Sequence, residues 1–269
     1  MLDEMERKRI HTFAICAYEV NPYLEECIKS VLSQSIGSNV IITTSTPNEY
    51  IEKMASRYNI KLFVNDKYKQ GAIEDWNYAY QCAETELVTI CHQDDFYCEK
   101  YTEILLKKYE TSHDMLLFFT DYFEVRNGKR ILNNKLLRIK RMMLSPFLLF
   151  KRNKFIRRLI LAFGSPICCP AVSFCKLNLP PVIFDKEFQY IPDWAAWERI
   201  SRLEGSFLYS SVPSVGHRIH EESWTTEVLQ DNKRFQEELR MFEMFWPKLL
   251  AKKIAKVYQK SGNSNKISN

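Results

Sequence analysis

The sequence predicts an α/β protein in which a mostly parallel sheet is covered by helices on both faces. The first 90 residues alternate between short β-branched or apolar runs and stretches with the 3.6-residue apolar period of a helix. A helix between consecutive strands favours parallel pairing of those strands. With 269 residues and a hydrophobic fraction of 46%, the chain can bury a large core. Only 7 Gly and 10 Pro exclude a collagen-like or low-complexity chain.

Strand and helix patterns follow one another along the first half of the chain. Five short runs are predicted to be strands: residues 13–17, 40–44, 60–64, 87–91 and 115–120. The first helix begins where Asn21 can cap it and Pro22 takes its first position. A Thr-Pro-Asn-Glu capping box begins the second helix, and a third is predicted from about 72 to 83. The last helical stretch, 230–258, contains Pro247, which is expected to break or kink it.

Several classes of protein lose support because their motifs are missing. No GxGxxG follows the first strand and no GxxxxGK[ST] occurs, which argues against a dinucleotide dehydrogenase and a P-loop NTPase. The start of the chain lacks the apolar segment of a signal peptide. The longest uncharged run, 159–175, is too short and too broken by Gly and Pro to span a bilayer. The eight cysteines form no CxxC pair, so we expect reduced, mostly buried thiols and no zinc site.

Two adjacent carboxylates, Asp94 and Asp95, follow the fourth predicted strand directly after His92 and Gln93. In sheets of this kind, ligands bind beyond the carboxyl ends of the strands. Neighbouring carboxylates repel each other without a cation, and their oxygens suit Mg²⁺ or Mn²⁺ held together with a phosphorylated substrate. The alternative is that one of the two caps a helix that begins near Tyr97.

Five segments, in this order, carry a resemblance to a known family. They are TFAICAYEVNPYLEECIKSVLSQS (12–35), the stretch 71–79 with Asp75-Trp76-Asn77, the tetrapeptide His92-Gln93-Asp94-Asp95, IPDWAAWER (191–199) and HRIHEES (217–223). From about residue 11 to residue 226 the sequence resembles glycosyltransferase family 2, and the tetrapeptide takes the place of that family's DxD motif.

The resemblance implies a GT-A fold, a Rossmann-like and mostly parallel sheet with helices on both faces, followed by a helical tail. It implies a transferase domain at 1–228, with a nucleotide-binding half at 10–95 and an acceptor half at 96–228, and the tail at 229–269. The implied activity is metal-dependent, inverting transfer of a sugar from a nucleoside diphosphate donor. The acceptor would be a hydroxyl of a glycan or lipid-linked glycan in surface polysaccharide synthesis.

The resemblance also implies roles for individual residues. Those expected to bind the nucleotide-sugar are Ala17, Tyr18, Glu19, Thr44, Asp66, Gly71, Asn77 and Asp94. The expected ligands of Mn²⁺ or Mg²⁺ are Asp94, Asp95 and His220. Asp193 is the expected general base, with a cap of the helix 194–203 as the alternative. The expected wall of the sugar and acceptor site is formed by Trp194, Trp197 and Arg218.

The sequence departs from the family at three places. His92 replaces the first Asp of the DxD motif, Trp76 replaces an Arg, and the loop 44–46 lacks the Asp that helps to hold the base. Uridine is the expected base, with thymidine and guanosine left open. The departures favour an alternative function, a non-catalytic binder of anionic surfaces on a degenerate transferase fold. A sugar nucleotidyltransferase would need a Gly-rich basic loop after the first strand, and residues 17–23 do not form one.

The net charge of +5 conceals a polarised chain. Residues 125–184 contain 13 Lys and Arg without an Asp or Glu, and the remainder carries 25 basic and 33 acidic residues. Within 129–162 the cations alternate with Leu, Ile and Phe, which predicts an amphipathic segment on an anionic membrane. The cations expected to face the lipid are Arg138, Lys140, Arg141, Lys151, Arg152, Arg157 and Arg158.

The alternative for this segment is a set of core helices with a solvated basic face. Nucleic acid is not an expected partner, because no recognised nucleic-acid-binding module accompanies the charge. Because the start of the chain lacks the apolar segment of a signal peptide and the thiols are expected to be reduced, the expected location is the cytoplasm, with peripheral contact at the inner face of the cell membrane.

Overall fold

The computed structural model describes residues 10–66, 71–220 and 232–262. Its strands are β1 (His11–Ala17), β2 (Asn39–Thr44), β3 (Lys61–Val64), β4 (Leu87–His92), β5 (Phe96–Tyr97), β6 (Met115–Arg126), β7 (Lys129–Ile131), β8 (Val172–Cys175) and β9 (Ser206–Ile219). Its α-helices are α1 (Leu24–Leu32), α2 (Glu49–Arg57), α3 (Ala72–Cys82), α4 (Tyr101–Glu110), α5 (Lys135–Leu144), α6 (Lys154–Leu161), α7 (Pro192–Ser201), α8 (Asn232–Glu243) and α9 (Lys248–Gly262). Short 3₁₀ turns follow α5 and flank β8.

The described strands form one sheet in the order β3-β2-β1-β4-β8-β6-β9-β5, with β7 paired to β6. Strands β3, β2, β1 and β4 are parallel, and Ile15 of β1 lies opposite Ile42 and Cys91 of its two neighbours. Strand β8 runs antiparallel between β4 and β6, and the long pair β6–β9 is again parallel. The carboxyl ends of β1, β2, β3 and β4 therefore meet at one edge, and the expected α/β fold is confirmed.

Apolar side chains on the two faces of the sheet form two core layers. Helices α1, α2 and α4 cover one face, where they bury Leu24, Ile51 and Leu105. Helices α3, α6, α7, α8 and α9 contribute to the other layer, which includes Trp197 and Phe242. Removal of such large side chains from water stabilises the fold by about 1.5–3 kcal/mol each.

The predicted tail is part of the core. Met241 and Phe242 of α8 and Ala251 and Ala255 of α9 are all completely buried, in the same layer as residues of the sheet. The predicted boundary between 228 and 229 lies outside the described residues. Within the described ranges, no helix combines the length and the apolar composition needed to cross a membrane.

The basic segment 129–162 folds as β7, α5 and α6, and most of its cations have partners within the protein. Arg157 is completely buried and donates to the carbonyl oxygens of Arg152 and Leu203. The other partnered side chains contact carboxylates or hydroxyls: Arg141 with Asp121, Arg152 with Asp114, Arg158 with Glu198, Lys140 with Tyr122 and Lys151 with Ser112.

The prediction that all seven cations face lipid headgroups is therefore wrong. Of these seven, Arg138 alone is exposed without an ion pair or side-chain hydrogen bond to a described residue. The interleaved pattern of charge arises because cations of α5, of α6 and of the segment between them pair with acidic side chains: Asp121 in β6, Asp114 just before β6 and Glu198 in α7.

Candidate active site

A cluster of three potential metal ligands lies at the carboxyl end of β4. Ligand atoms of His92, Asp94 and Asp95 lie within 4.8 Å of one another. The alternative reading of the carboxylates as helix caps is wrong, because α4 begins at Tyr101 and has Lys100 at its N-cap position. The turn between β4 and β5 instead directs both carboxylates toward the edge where the parallel strands end.

Strand β9 closes this cluster from the other side. Its antiparallel pairing with β5 sets Gly216 opposite Phe96, which brings His217 beside Asp95. His217 Nδ1 lies 3.1 Å from Asp95 Oδ1, and the backbone N–H of Arg218 donates to the same oxygen at 2.8 Å. His220 Nε2 lies 2.9 Å from Asp94 Oδ2. Two segments more than 120 residues apart in sequence therefore build one site.

The carboxylates and imidazoles of the cluster shift each other's pKa values. Burial opposes ionisation of Asp94, but the hydrogen bond from His220 and the nearby imidazoles hold the pKa of Asp94 below its usual value. Burial alone would lower the pKa of His217, yet the charge of Asp95 and their hydrogen bond raise it. Burial lowers the pKa of His92 and so favours its neutral imidazole, while the charges of Asp95 and Asp94 act in the opposite direction.

His92 has the orientation and the available ring nitrogen of a potential metal ligand. Its ring stacks on Trp76 at 4.9 Å with an interplanar angle of 10°, which fixes the orientation of the imidazole. Its Nε2 atom is buried and makes no hydrogen bond to a described residue. A buried polar atom without a partner is costly, and the carboxylate oxygens beside it suit Mn²⁺ or Mg²⁺. The residues present thus fit a divalent metal.

The expected aromatic wall is not found at the surface. Trp194 and Trp197 are 1% and 0% exposed. The Trp194 indole donates to the carbonyl oxygen of Leu161 and packs against Phe242, whereas Trp197 stacks on Phe174. The prediction that these rings face a sugar is wrong, because their i, i+3 spacing places both on the core side of α7.

Arg218 is also engaged within the protein. Its Nε donates to the carbonyl oxygen of Asp94 at 2.8 Å and its Nη2 lies 2.7 Å from Glu26. The guanidinium also lies 4.0 Å from the centroid of the Tyr23 ring. Arg218 was expected in the sugar wall, but its donors hold the Asp94 backbone against α1 instead.

The loops expected to bind the nucleotide meet beside this cluster. The backbone N–H and carbonyl of Tyr18 exchange hydrogen bonds of 2.9 Å with the amide of Gln93. The backbone N–H of Glu19 donates to Thr46 Oγ1 at 2.7 Å. Thr44 is buried and accepts from the backbone of Thr46, and Ala17 ends β1 at the same edge. Contact of these residues with a nucleotide stays a prediction.

Three further expected nucleotide-binding positions lie around α3. The prediction for Asn77 needs correction, because this side chain is engaged within the protein. Its Oδ1 accepts from the N–H groups of Ile183 and Phe184, and its amide donates to the Phe184 carbonyl. These hydrogen bonds hold the backbone at residues 183–184. Gly71 has a φ of +105° at the N-cap of α3, and Asp66 is exposed after β3. Nucleotide contacts of these two positions stay predictions.

Asp75 is a buried carboxylate that the sequence reasoning missed. Its oxygens accept from Ser45 Oγ at 2.7 Å and from Asn65 Nδ2 at 2.9 Å, which follow β2 and β3. Burial raises the pKa of Asp75. The loop 44–46, which lacks a carboxylate of its own, therefore receives one from α3. The signal was present, since Asp75 precedes Ala79 by four residues on the inward face of the helix.

Asp193 lies in the first turn of α7. The helix begins at Pro192 and its N-cap position is Ile191, so the alternative reading of Asp193 as the cap is wrong. Burial raises the pKa of Asp193, while the charges of Arg234 and Lys140 act in the opposite direction. A carboxylate with a raised pKa is a better proton acceptor than an exposed one. Its role as a general base stays a prediction.

A family model described as Glycosyl transferase family 2 matches residues 12–177. The chain belongs to this family. The match covers β1 to β8 and the metal-ligand cluster, but Asp193, His217 and His220 lie beyond it. A comparison with curated proteins finds no match.

Solved structures of glycosyltransferases share the fold of this transferase. S. aureus TarS 1–349 in complex with UDP-GlcNAc has a TM-score of 0.65 and 12% identity, over 96% of this chain and 76% of that one. The mannosyltransferase PcManGT from Pyrobaculum calidifontis, in complex with GDP-Man and Mn²⁺, has a TM-score of 0.60 and 13% identity, over 98% and 74%. The transferase therefore has the expected GT-A fold.

Proposed function

We propose that this glycosyltransferase moves one sugar from a nucleoside diphosphate donor to a hydroxyl of a glycan or lipid-linked glycan, with inversion at the anomeric carbon. The observation that carries the proposal is the cluster of His92, Asp94 and Asp95, closed by His217 and His220 of the distant strand β9. The donor-bound complexes of TarS and PcManGT support a nucleotide-sugar, and UDP is the expected nucleotide. The process served would be surface polysaccharide synthesis at the cytoplasmic face of the membrane.

In place of the expected set of Asp94, Asp95 and His220, we propose His92 and Asp94 as the residues that would hold Mn²⁺ or Mg²⁺. Asp95 already accepts from the Arg218 amide and faces His217, so it mainly adds negative charge and positions the strand β9. His220 orients the Asp94 carboxylate. When bound, the metal supplies electrostatic stabilisation of the charge that develops on the leaving nucleoside diphosphate.

The remaining chemistry falls to side chains of the protein. Asp193 accepts the proton of the attacking hydroxyl. Burial raises the pKa of Asp193 toward neutral pH, which makes its carboxylate a better base. The paired Tyr18 and Gln93 hold the loop after β1 beside the metal cluster, where it can orient the donor. Asp75 holds the loop after β2 through Ser45.

Nucleotide binding with and without Mn²⁺ tests the metal cluster. We expect UDP to raise the melting temperature only when Mn²⁺ is present, because the cluster and the diphosphate are both anionic. A ligand at one hundred times its Kd stabilises the folded state by about 2.7 kcal/mol. Asp94→Asn should remove this metal-dependent stabilisation and leave the melting temperature of the free protein close to that of the wild type. Glu110→Gln, at an exposed position, serves as the control.

An unchanged metal-dependent shift in Asp94→Asn would show that the metal is held elsewhere. GDP and dTDP in the same assay identify the base. Release of UDP from a UDP-sugar in the presence of Mn²⁺ separates an enzyme from the alternative, a non-catalytic binder, which would bind UDP without releasing it from the donor.

A further inference from the structure

Helix α9 presents two contrasting faces. Ala251 and Ala255 are completely buried, and the ring of Tyr258 packs against Trp194 of α7. The outward face carries, at helical spacing, the exposed residues Leu249, Lys252, Lys253, Lys256 and Val257. Leu249 and Val257 are 83% and 69% exposed. This helix therefore uses one face for the core and leaves large apolar side chains on the other.

The outward face of α9 is strongly basic. Residues 248–269 contain six Lys and no Asp or Glu. Lys252, Lys253 and Lys256 form no ion pair with any residue in the described ranges, unlike Arg141, Arg152 and Arg158 of the basic segment. Together with Leu249 they line a shallow surface depression. These lysines therefore keep their charge available to an external partner.

An apolar stripe on α6 adjoins this helix. Phe155, Leu159 and Phe163 follow one another at intervals of four residues and are 72%, 41% and 50% exposed. The Phe163 ring packs edge to face on Trp246, with 5.4 Å between centroids, and Trp246 lies two residues before the start of α9. We call these residues together the α6–α9 surface: Phe155, Leu159, Phe163, Leu249, Lys252, Lys253, Lys256 and Val257.

We propose that the α6–α9 surface docks on an anionic lipid bilayer. Exposed aromatic and aliphatic side chains beside unpaired lysines are the composition of an interfacial surface, where the apolar groups enter the acyl boundary and the cations meet headgroups. Two copies of the chain joined symmetrically through this face would set lysine against lysine, which is repulsive. A nucleic acid would attract the lysines but would leave Phe155 and Phe163 exposed to water.

This surface differs from the basic segment expected from the sequence. Three arginines of that segment, Arg141, Arg152 and Arg158, are held by Asp121, Asp114 and Glu198, whereas Lys252, Lys253 and Lys256 of α9 have no such partners in the described structure. The contact between Tyr258 and Trp194 attaches α9 to the helix whose first turn contains Asp193. The proposal goes beyond the proposed function and does not depend on transfer activity.

Co-sedimentation with vesicles tests the proposal. The protein should pellet with phosphatidylcholine vesicles that contain phosphatidylglycerol and much less with phosphatidylcholine alone, and salt should weaken the binding. The triple variant Lys252→Gln/Lys253→Gln/Lys256→Gln should lower the partition coefficient roughly 100-fold at low salt, since each lysine contributes about fivefold. Lys53→Gln/Lys61→Gln/Lys100→Gln removes the same charge from exposed positions elsewhere and should bind nearly as the wild type does.

A second variant tests the apolar component. Phe155→Ser/Leu249→Ser should also weaken binding but retain its dependence on salt. All the substituted side chains are exposed, so melting temperatures should stay close to that of the wild type. Release of UDP in solution should be unchanged in both variants, which separates failure of the docking proposal from failure of the transferase assignment.

Three results would overturn the proposal. They are equal pelleting with neutral and anionic vesicles, an equal loss of binding in the control triple variant, and a dimer in solution that the α9 substitutions dissociate. The last result would instead assign the surface to contact between copies of the chain.

Discussion

Asp193 is a carboxylate whose buried environment opposes its ionisation. The raised pKa of Asp193 affects both the stability of the fold and the proposed role of this residue as a base. Its pKa is raised by burial, so its charged form destabilises the fold at neutral pH. A raised folded-state pKa gives stability that is present at low pH and is lost as the pH rises through that pKa. We therefore expect Asp193→Asn to unfold no earlier than the wild type at neutral pH, and to lose its pH dependence at this site.

The same substitution should abolish transfer. Loss of a general base lowers the rate by about 10²–10⁴-fold, while donor and metal binding should remain. In the wild type, activity should fall as the pH decreases through the raised pKa of Asp193, because the base must be ionised. Urea unfolding at several pH values and steady-state rates measure both effects. A variant that is less stable yet turns over normally would remove Asp193 from the chemistry.

The sequence allowed prediction of the adjacent carboxylates at the end of β4 but not of most other contacts between side chains. Asp94 and Asp95 are adjacent at the end of an apolar strand, so local sequence is sufficient to find them. Asp75 has its partners 10 and 30 residues away, and only the sheet brings them together. Trp194 and Trp197 were misassigned because residue type alone does not say which way a side chain faces.

Helix α9 is held in place by a close contact with a glycine. A Cβ at Gly164 would lie 2.4 Å from the Tyr258 ring, and Gly164 has a φ of +137° that other residues rarely adopt. Gly164→Ala should therefore lower the free energy of unfolding by about 2 kcal/mol or more, through overpacking and backbone strain.

Gly128→Ala is the matched control, since φ there is +73° and a Cβ meets no atom within 4 Å. Gly128→Ala should lower the free energy of unfolding only through backbone strain, without a contribution from overpacking. Gly164→Ala should lower the free energy of unfolding less in a Tyr258→Ala background than in the wild type, because the clash is already removed there. Chemical denaturation of the wild type, Gly164→Ala, Tyr258→Ala and the double variant measures the coupling, and strictly additive effects would contradict the contact.

The positions of the strands and helices along the chain were largely predictable. Which side of each helix packs against the protein was less predictable. Alternating strand and helix patterns gave β1 to β4 within a few residues, because each run ends at a turn or a cap. The apolar period of α5 and α6 was also visible. Which arginines lie over acidic groups depends on Asp121 of β6 and on Asp114 directly before that strand, and no local pattern encodes that.

For the molecule as a whole, α8 and α9 are expected to be required for folding. Phe242 packs against Trp194, and both belong to the layer that covers the sheet. A chain that ends at residue 228 would expose these rings and lose several buried side chains worth about 1.5–3 kcal/mol each. The typical net stability of a domain is only about 5–15 kcal/mol.

We therefore expect the truncated chain to aggregate or to melt without cooperativity, as measured by calorimetry. A chain that ends at Gly262 keeps every contact described above and is the control. Cooperative melting of the shorter chain at the wild-type temperature would show that the helices form a separate unit.

The closure of the site by β9 has a consequence for how the protein is made. The contacts between His217 and Asp95 and between Arg218 and Glu26 join residues 122 and 192 positions apart. During synthesis the amino-terminal half emerges first, and contacts of such large sequence separation are slow to form. A chain still on the ribosome therefore carries His92, Asp94 and Asp95 without the strand that completes their site. We therefore expect nascent chains and chains that end before residue 220 to lack transfer activity.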